Sequence, residues 1–322
     1  MMRKIGLTGL IFGLLSAMAY GQISPFADQF LSNPFSVNPA LAGTSRYSPL
    51  YLSYRQDWLG IAGSPKFQSI TYHQSILEKR QRFNPRGFLN RGDNSFGKVG
   101  LGGGVFNVSA GAVNQIGLHM DYAYHVYLDQ GRLSFGLAPM YHQFIINKSK
   151  LIPPDGSTPD PVLDNSAREV IHFLDVNAGV HFFGEHLTTG MSVVQLFNSG
   201  AWFGDLSFDT MEDTFKNYWL NRSIYAYGSY RISLGDDVVL EPGIFGRYAA
   251  STGFGFQGNL MIILMRDYQM GILYRYREAV GFYAGIRVGP VIFRYQFESP
   301  VGSAIPGRFV TNQVGAGYLL ED

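Results

Sequence analysis

The sequence predicts an all-β fold, a transmembrane antiparallel β-barrel of about fourteen strands with a short N-terminal periplasmic or plug segment. Three observations carry the prediction. Charged residues are 15% of the chain and aromatics also 15%, with 39 glycines in 322 residues, whereas a soluble globular protein carries about 25% charge. Past the first residues, no apolar run approaches the ~20 residues of a spanning helix, and only helices and closed barrels satisfy every backbone group in lipid. Long stretches alternate with period two, as a strand must when one face meets lipid and the other a lumen.

The chain divides into residues 1–21, 22–46 and 47–322. The first has a basic start (Arg3, Lys4), an apolar run from Ile5 to Ala19 and small residues before Gln22, the pattern of a secretory signal peptide. Removing it takes two of the 25 basic residues and none of the 24 acidic ones, leaving a net charge of −1. That balance argues against a nucleic-acid partner, because nothing releases counterions from phosphates. The absence of cysteine excludes disulfide staples, thiolate catalysis and Cys-ligated metal.

Residues 22–46 carry Asn-Pro and Ala-Gly turn signals and are too irregular for a strand. They are expected to tuck into the periplasmic mouth as a plug, with Phe26, Phe30 and Phe35 as anchors. Strands are expected to begin near residues 47, 66, 96, 112, 131, 172, 187, 217, 237, 253, 268, 280, 290 and 309; twelve or sixteen strands fit the same spacing. Alternation is clearest from residue 116, where Ile116, Leu118, Met120, Tyr122, Tyr124 and Val126 oppose Gln115, Gly117, His119, Asp121, Ala123 and His125. It recurs at 270–277, 282–288 and 291–298. Near residue 98 the inward set is Lys98, Gly100, Gly102 and Gly104, and such glycines let a buried segment approach the wall closely.

Tight links at Asp129-Gln130, Glu185-His186, Gly235-Asp236, Asp267 and Gly289 belong on the periplasmic side, and the long connections at 147–171 and 198–216 outside the cell. Residues 77–95 break the pattern as a long, basic, nominally periplasmic loop.

The most specific text is Asn38-Pro39-Ala40-Leu41-Ala42-Gly43, then Tyr54-Arg55-Gln56-Asp57-Trp58-Leu59-Gly60 and Gly63-Ser64-Pro65-Lys66. It resembles the opening of the PorP/SprF family of type IX secretion proteins of the Bacteroidota. The likeness continues through Gly100-Leu101-Gly102, the run Gly131 to Leu137, and Arg266 to Gly271. It implies a non-enzymatic, multi-pass barrel in the outer membrane of a Gram-negative, Bacteroidota-type bacterium, serving type IX secretion and gliding motility. Asn38, Pro39, Ala40, Gly43, Arg55, Gln56, Trp58 and Gly60 match the family's motifs. The partners implied are periplasmic type IX components, a secreted surface adhesin or its C-terminal domain, and outer-membrane lipid; no cofactor is implied. The alternative reading is a general or solute-selective porin.

Contact residues are expected in two loops. Arg80, Arg82 and Arg86 suit a periplasmic partner. Trp202, Phe203, Phe208 and Phe215 suit exported cargo, since clustered aromatics on an exposed loop favour partner contact. Arg247, Arg275, Arg277, Arg287 and Arg294, with Glu241 and Glu298, fall on lumen positions, either as a charge ladder filling the barrel or as the lining of an anion-selective pore. An acid–His grouping of His119, His125 and Asp121 raises an outer-membrane lipid enzyme, but parity turns it away from lipid. A metal site from His172, His181 and His186 is weak, because His186 falls in a tight turn and no carboxylate spacing completes a ligand set.

Overall fold

The computed structural model describes residues 26–76, 98–150, 168–197, 220–301 and 309–320. Within them the chain runs up and down through β1 (Ser48–Gln56), β2 (Lys66–Ile76), β3 (Val99–Ala110), β4 (Val113–Leu128), β5 (Gly131–Asn147), β6 (Arg168–Gly184) and β7 (Leu187–Val194). It continues as β8 (Ser223–Tyr230, resuming at Ile232–Ser233), β9 (Val238–Ala249), β10 (Gly253–Leu264), β11 (Tyr268–Arg275), β12 (Ala279–Val288), β13 (Val291–Pro300) and β14 (Thr311–Leu320). The break in β8 has a local cause. Ser229 pairs with Gly243 and Ile232 with Leu240 in one continuous register, so Tyr230 stands opposite Pro242, whose ring nitrogen has no proton to donate.

Every strand pairs antiparallel with its neighbours in sequence. The ring closes where β1 meets β14, from Ser48 opposite Leu320 to Gln56 opposite Asn312. Closure removes both edges, the condition for a sheet in lipid.

The alternation read from sequence is the alternation observed. On β4, Leu118, Met120, Tyr122 and Tyr124 are exposed on the outer face while His119, Asp121, Ala123 and His125 are buried inside. The same parity holds on β12, with Phe282 and Ile286 outside and Tyr283 inside. Strand starts agree with expectation to within three residues except at β6 and β8.

Even-to-odd links are tight apart from the one between β2 and β3, and both the β1 start and the β14 end lie at that rim, which is therefore periplasmic. The three-residue β10–β11 link turns through Met265 and Arg266, both at positive φ (50° and 65°), a backbone twist that matches the twist of the strands it joins. Strands β4, β5 and β6, at 16, 17 and 17 residues, exceed the ~9 to 11 needed to span. Beyond the outer rim, Ile171, Phe173 and Leu220 form a small apolar cluster with Phe144 and Ile146.

Candidate functional site: an occupied lumen

Residues 26–47 form no long helix and no strand. They make three single turns of 3₁₀ helix, Ala27–Gln29, Pro34–Ser36 and Pro39–Leu41. Two begin at a proline, which pre-sets φ for a first turn and drives the preceding residue, Asn33 or Asn38, out of the helical region. The segment does not stop at the periplasmic mouth. It passes up the lumen until Phe26 packs edge-on against Phe106, centroids 4.8 Å apart, and against Phe67, side chains of the outer half of the wall. Phe26, Phe67 and Phe106 belong there to one buried apolar cluster, which seats the segment's outer end.

The Asn38–Gly43 motif is the seat. Asn38 Oδ1 accepts from the Ala40 N–H at 2.9 Å, capping the third turn. Its Nδ2 donates to the Val180 carbonyl (3.0 Å) and to the Tyr227 hydroxyl (3.1 Å). Asn38, Ala40 and Ala42 are fully buried. They lie against wall glycines: a Cβ at Gly179 would collide with Asn38 Oδ1, one at Gly136 with the Pro39–Ala40 backbone, and one at Gly100 with the Ala42 carbonyl. Gly102 gives room to the Phe35 ring, which would meet a Cβ at 2.7 Å. Gly43 takes φ +65° and donates its N–H to His73 Nδ1 at 3.2 Å. The inward glycines of β3 thus face the segment they were expected to admit, and Gly136 and Gly179 belong to the same cradle.

Further up, Phe30 stacks on Phe245 at 4.6 Å and Phe35 tilts on His73 at the same distance. Asn33 donates to Thr71 Oγ1, Ser192 to the Val37 carbonyl, and Gln29 Oε1 accepts from both Ser53 and Gln313. Buried polar contacts of this kind favour one position of the segment over its neighbours.

Arg275 and Arg294, two of the lumen positions read from the sequence, contact this segment directly. Arg55 of β1 binds Glu298 of β13 through both terminal nitrogens (2.9 and 3.2 Å) and Asp57 through Nε at 2.8 Å. Arg275 lies 3.2 Å from Glu298 and 3.0 Å from Asp28 of the N-terminal segment. Burial pushes the Asp28 carboxyl up, but Arg275 and Arg55 outweigh it and hold it below its ordinary 3.8. At Asp57 burial wins and the carboxyl is raised. Arg247 pairs with Glu278, Arg287 with Asp267, and Glu241 with Arg231.

The strand ends at Arg275, and Arg277 sits in the following turn at φ 60°, over the Tyr276 ring, where it lines the outer chamber of the lumen. Arg294 is inside, donating to the Ser32 carbonyl and lying over the Tyr51 ring. Asp28, Asp57 and Glu278 were not singled out from sequence, and the sole signal for them is acidic character next to turn residues.

The segment separates two chambers. An outer one of about 290 Å³ is lined by Asp28, Arg55, Trp58, Arg275 and Glu298, among others. Trp58 stands there at φ 51° and Gly60 at φ 96°, so the second motif shapes the outer lip. An inner chamber of about 430 Å³ includes Phe30, Arg132, Phe183 and Arg294. His119 and Asp121 contact at 2.5 Å, while His125 faces Ser134, His172 faces Tyr141 and His181 faces Tyr227. His172, His181 and His186 are not brought together, and among the described residues no group of three suits a metal ion. Arg80, Arg82 and Arg86, and Trp202, Phe203, Phe208 and Phe215, lie outside the described residues.

The family model described as "Type IX secretion system membrane protein PorP/SprF" matches residues 19–306. The chain belongs to the PorP/SprF family. It is therefore an outer-membrane β-barrel of the type IX secretion system of Bacteroidota, a non-enzymatic component. Comparison with curated proteins returns no match. Among solved structures, similar barrels include Omp33 of Acinetobacter baumannii (8% identity, TM-score 0.45, 86% of this chain and 100% of that one). The toluene transporter TodX of Pseudomonas putida matches at 8% identity and TM-score 0.48, over 94% and 95% of the two chains. A FadL homologue of Pseudomonas aeruginosa matches at 11% and 0.44, over 94% and 96%.

Proposed function

We propose that this PorP/SprF barrel is a binding and anchoring platform: it holds periplasmic components of the secretion and gliding machinery at its inner rim and captures or anchors a secreted adhesin at its outer face. The observation that carries this reading is the occupied lumen. A pore meant for steady solute flux needs a continuous path, whereas here Asn38, Ala40 and Ala42 are sealed against wall glycines. Residues 22–46 act as a plug in this reading. The basic residues Arg80, Arg82 and Arg86 serve the periplasmic contact, and Trp202, Phe203, Phe208 and Phe215 the cargo contact, on the strength of their sequence chemistry.

The test is a pull-down of the tagged, detergent-solubilised barrel from its native envelope, with mass spectrometry of what stays bound. Periplasmic type IX components or a large surface adhesin are the expected companions. Recovery of the barrel alone, with steady single-channel conductance of the purified protein, would replace this reading with the porin.

A further inference from the structure

The two chambers differ in charge. Among the described residues lining the outer one, four arginines, Arg55, Arg247, Arg275 and Arg277, stand with four carboxylates, Asp28, Asp57, Glu278 and Glu298. Among the described residues that line the inner one stand three arginines, Arg132, Arg231 and Arg294, and one carboxylate, Glu241, with Arg132 also donating to the Thr44 carbonyl at 3.0 Å. Glu241 is engaged by Arg231 at 3.4 Å and by Ser229 at 2.7 Å. The chamber's other titratable side chains among the described residues have partners of their own: His73 accepts from the Gly43 N–H, His181 faces the Tyr227 hydroxyl, and the Tyr51 ring lies under Arg294.

Arg294 is the strongest anomaly. Its terminal nitrogen donates to the Ser32 carbonyl and its plane lies 5.3 Å from the Tyr51 ring centre. Its Nε is enclosed with no hydrogen-bond partner, and among the described residues no carboxylate stands within ion-pair reach of it. An enclosed guanidinium without a counter-charge is unfavourable unless something supplies one. Across the lumen, Arg132 and Arg231 lie 6.0 and 5.7 Å from the centre of one ring, Phe183, an apolar surface flanked by two cations.

The chemistry that answers this arrangement is anionic and extended. Arginine forks match carboxylates. The three come from β5, the break in β8, and β13, which is six places round the ring from β5, so a single small anion does not reach all three. The cations face the lumen, which removes them from lipid headgroups. The chamber lies beside Thr44, Ser45, Pro49 and Leu319, at the periplasmic rim.

We propose that the inner chamber is a docking site for an acidic peptide segment of a periplasmic partner, its carboxylates taken by Arg132, Arg231 and Arg294 and an apolar side chain laid on Phe183. The proposal rests on the anchoring reading above and names the chemistry of its periplasmic contact.

The experiment uses the full-length barrel in detergent and a fluorescein-labelled octaglutamate, followed by anisotropy at low salt, with an octaserine control. Octaglutamate is expected to bind and octaserine not. Arg132→Gln, Arg231→Gln and Arg294→Gln should each weaken binding about tenfold or more, in variants whose gel mobility still shifts on heating. Arg231→Gln, with the side chain 22% exposed, covers the case in which a fully buried substitution fails to fold. Affinity unchanged in the folded variants overturns the proposal. So does inorganic phosphate displacing the probe at the probe's own concentration, which identifies a small-anion site. The same variants in the envelope pull-down separate the two ideas. A partner retained equally by wild type and all three variants keeps the anchoring reading and removes the chamber. Probe binding with no partner retained keeps the chamber and sinks the reading.

Discussion

The Asp28 carboxylate lies 3.0 Å from Nη1 of Arg275, joining the start of the lumen segment to a strand on the far side of the sequence. Arg275 is also bound to Glu298, which holds Arg55, which reaches Asp28 in turn at 3.7 Å. The four groups close a loop that Asp57 and Glu278 extend at either arginine. The segment's outer end is therefore tied to β1 and β11 directly and to β13 through Glu298, and its first turn is positioned by charge as well as by Phe26.

Asp28→Asn should loosen that end without unfolding the barrel. Stripping one partner from a buried ionic cluster costs about 3 kcal/mol or more, and here the lost contacts are those of the segment. Intermittent conductance in planar bilayers is the expected outcome, against a closed wild type. The pH dependence follows from the same contact. Because Asp28 is held below 3.8 when folded, its contribution is complete above the unfolded value and lost as pH falls through the lower folded one. Wild type should stay closed from pH 7 to 5 and begin to open only below about pH 4. Opening at pH 6 would point to another group.

Gly136→Ala and Gly179→Ala test the cradle. Each methyl would collide with the Asn38–Ala40 stretch, and overpacking of this kind costs about 1 to 3 kcal/mol. The double variant should still insert and resist protease as a barrel, yet pass a steady current. Gly258→Ala, where a Cβ meets nothing within 4 Å, is the matched control and should remain closed.

Much of this barrel was legible in the chain because its main signal is local. A period of two needs only neighbouring residues, so Ile116 to Val126 declared both the strand and its lipid face. The starts of β6 and β8 were misjudged where strand and apolar band part company: β6 opens with Arg168 and Glu169, beyond the lipid, and Leu220 packs on Ile171 instead of entering β8. Arg277 continues the period-two pattern past Tyr276, while its positive φ two residues beyond the strand end sets it in a turn at the lumen's outer mouth. The pairing of Asp28 with Arg275 left no trace in any window, since it joins an irregular segment to a strand. Gly136 and Gly179 likewise gain meaning only once Asn38 is known to lie against them. Arg132 and Arg231, the cations of the inner chamber, stand next to turns and read as ordinary rim charges until Phe183 is placed between them.

Asn38→Ala should lower thermal stability by more than the sum expected of one cap. The side chain bonds the Ala40 N–H, two wall carbonyls and the Tyr227 hydroxyl, and buried groups left unsatisfied cost about 1 to 3 kcal/mol each. Tyr227→Phe removes the hydroxyl that Asn38 shares with His181 and should cost less. A double-mutant cycle on heat-modifiable gel mobility measures their coupling. Additive effects would mean the two side chains do not act through the bond seen between them.

Met120→Lys tests the orientation of the wall itself. Met120 is 65% exposed at the middle of β4, between buried His119 and Asp121, so its side chain meets the centre of the bilayer. A lysine at the midplane of a lipid-facing wall costs about 2 to 4 kcal/mol, and the penalty falls toward nothing near the interface. Leu128→Lys, on the same outer surface at the periplasmic end of the strand, should therefore be nearly silent. Folding titrations in urea with lipid vesicles distinguish the two. Equal, small losses at both positions would mean that β4 does not present this face to lipid, and the assignment of inside and outside for every strand registered to it would have to be reversed.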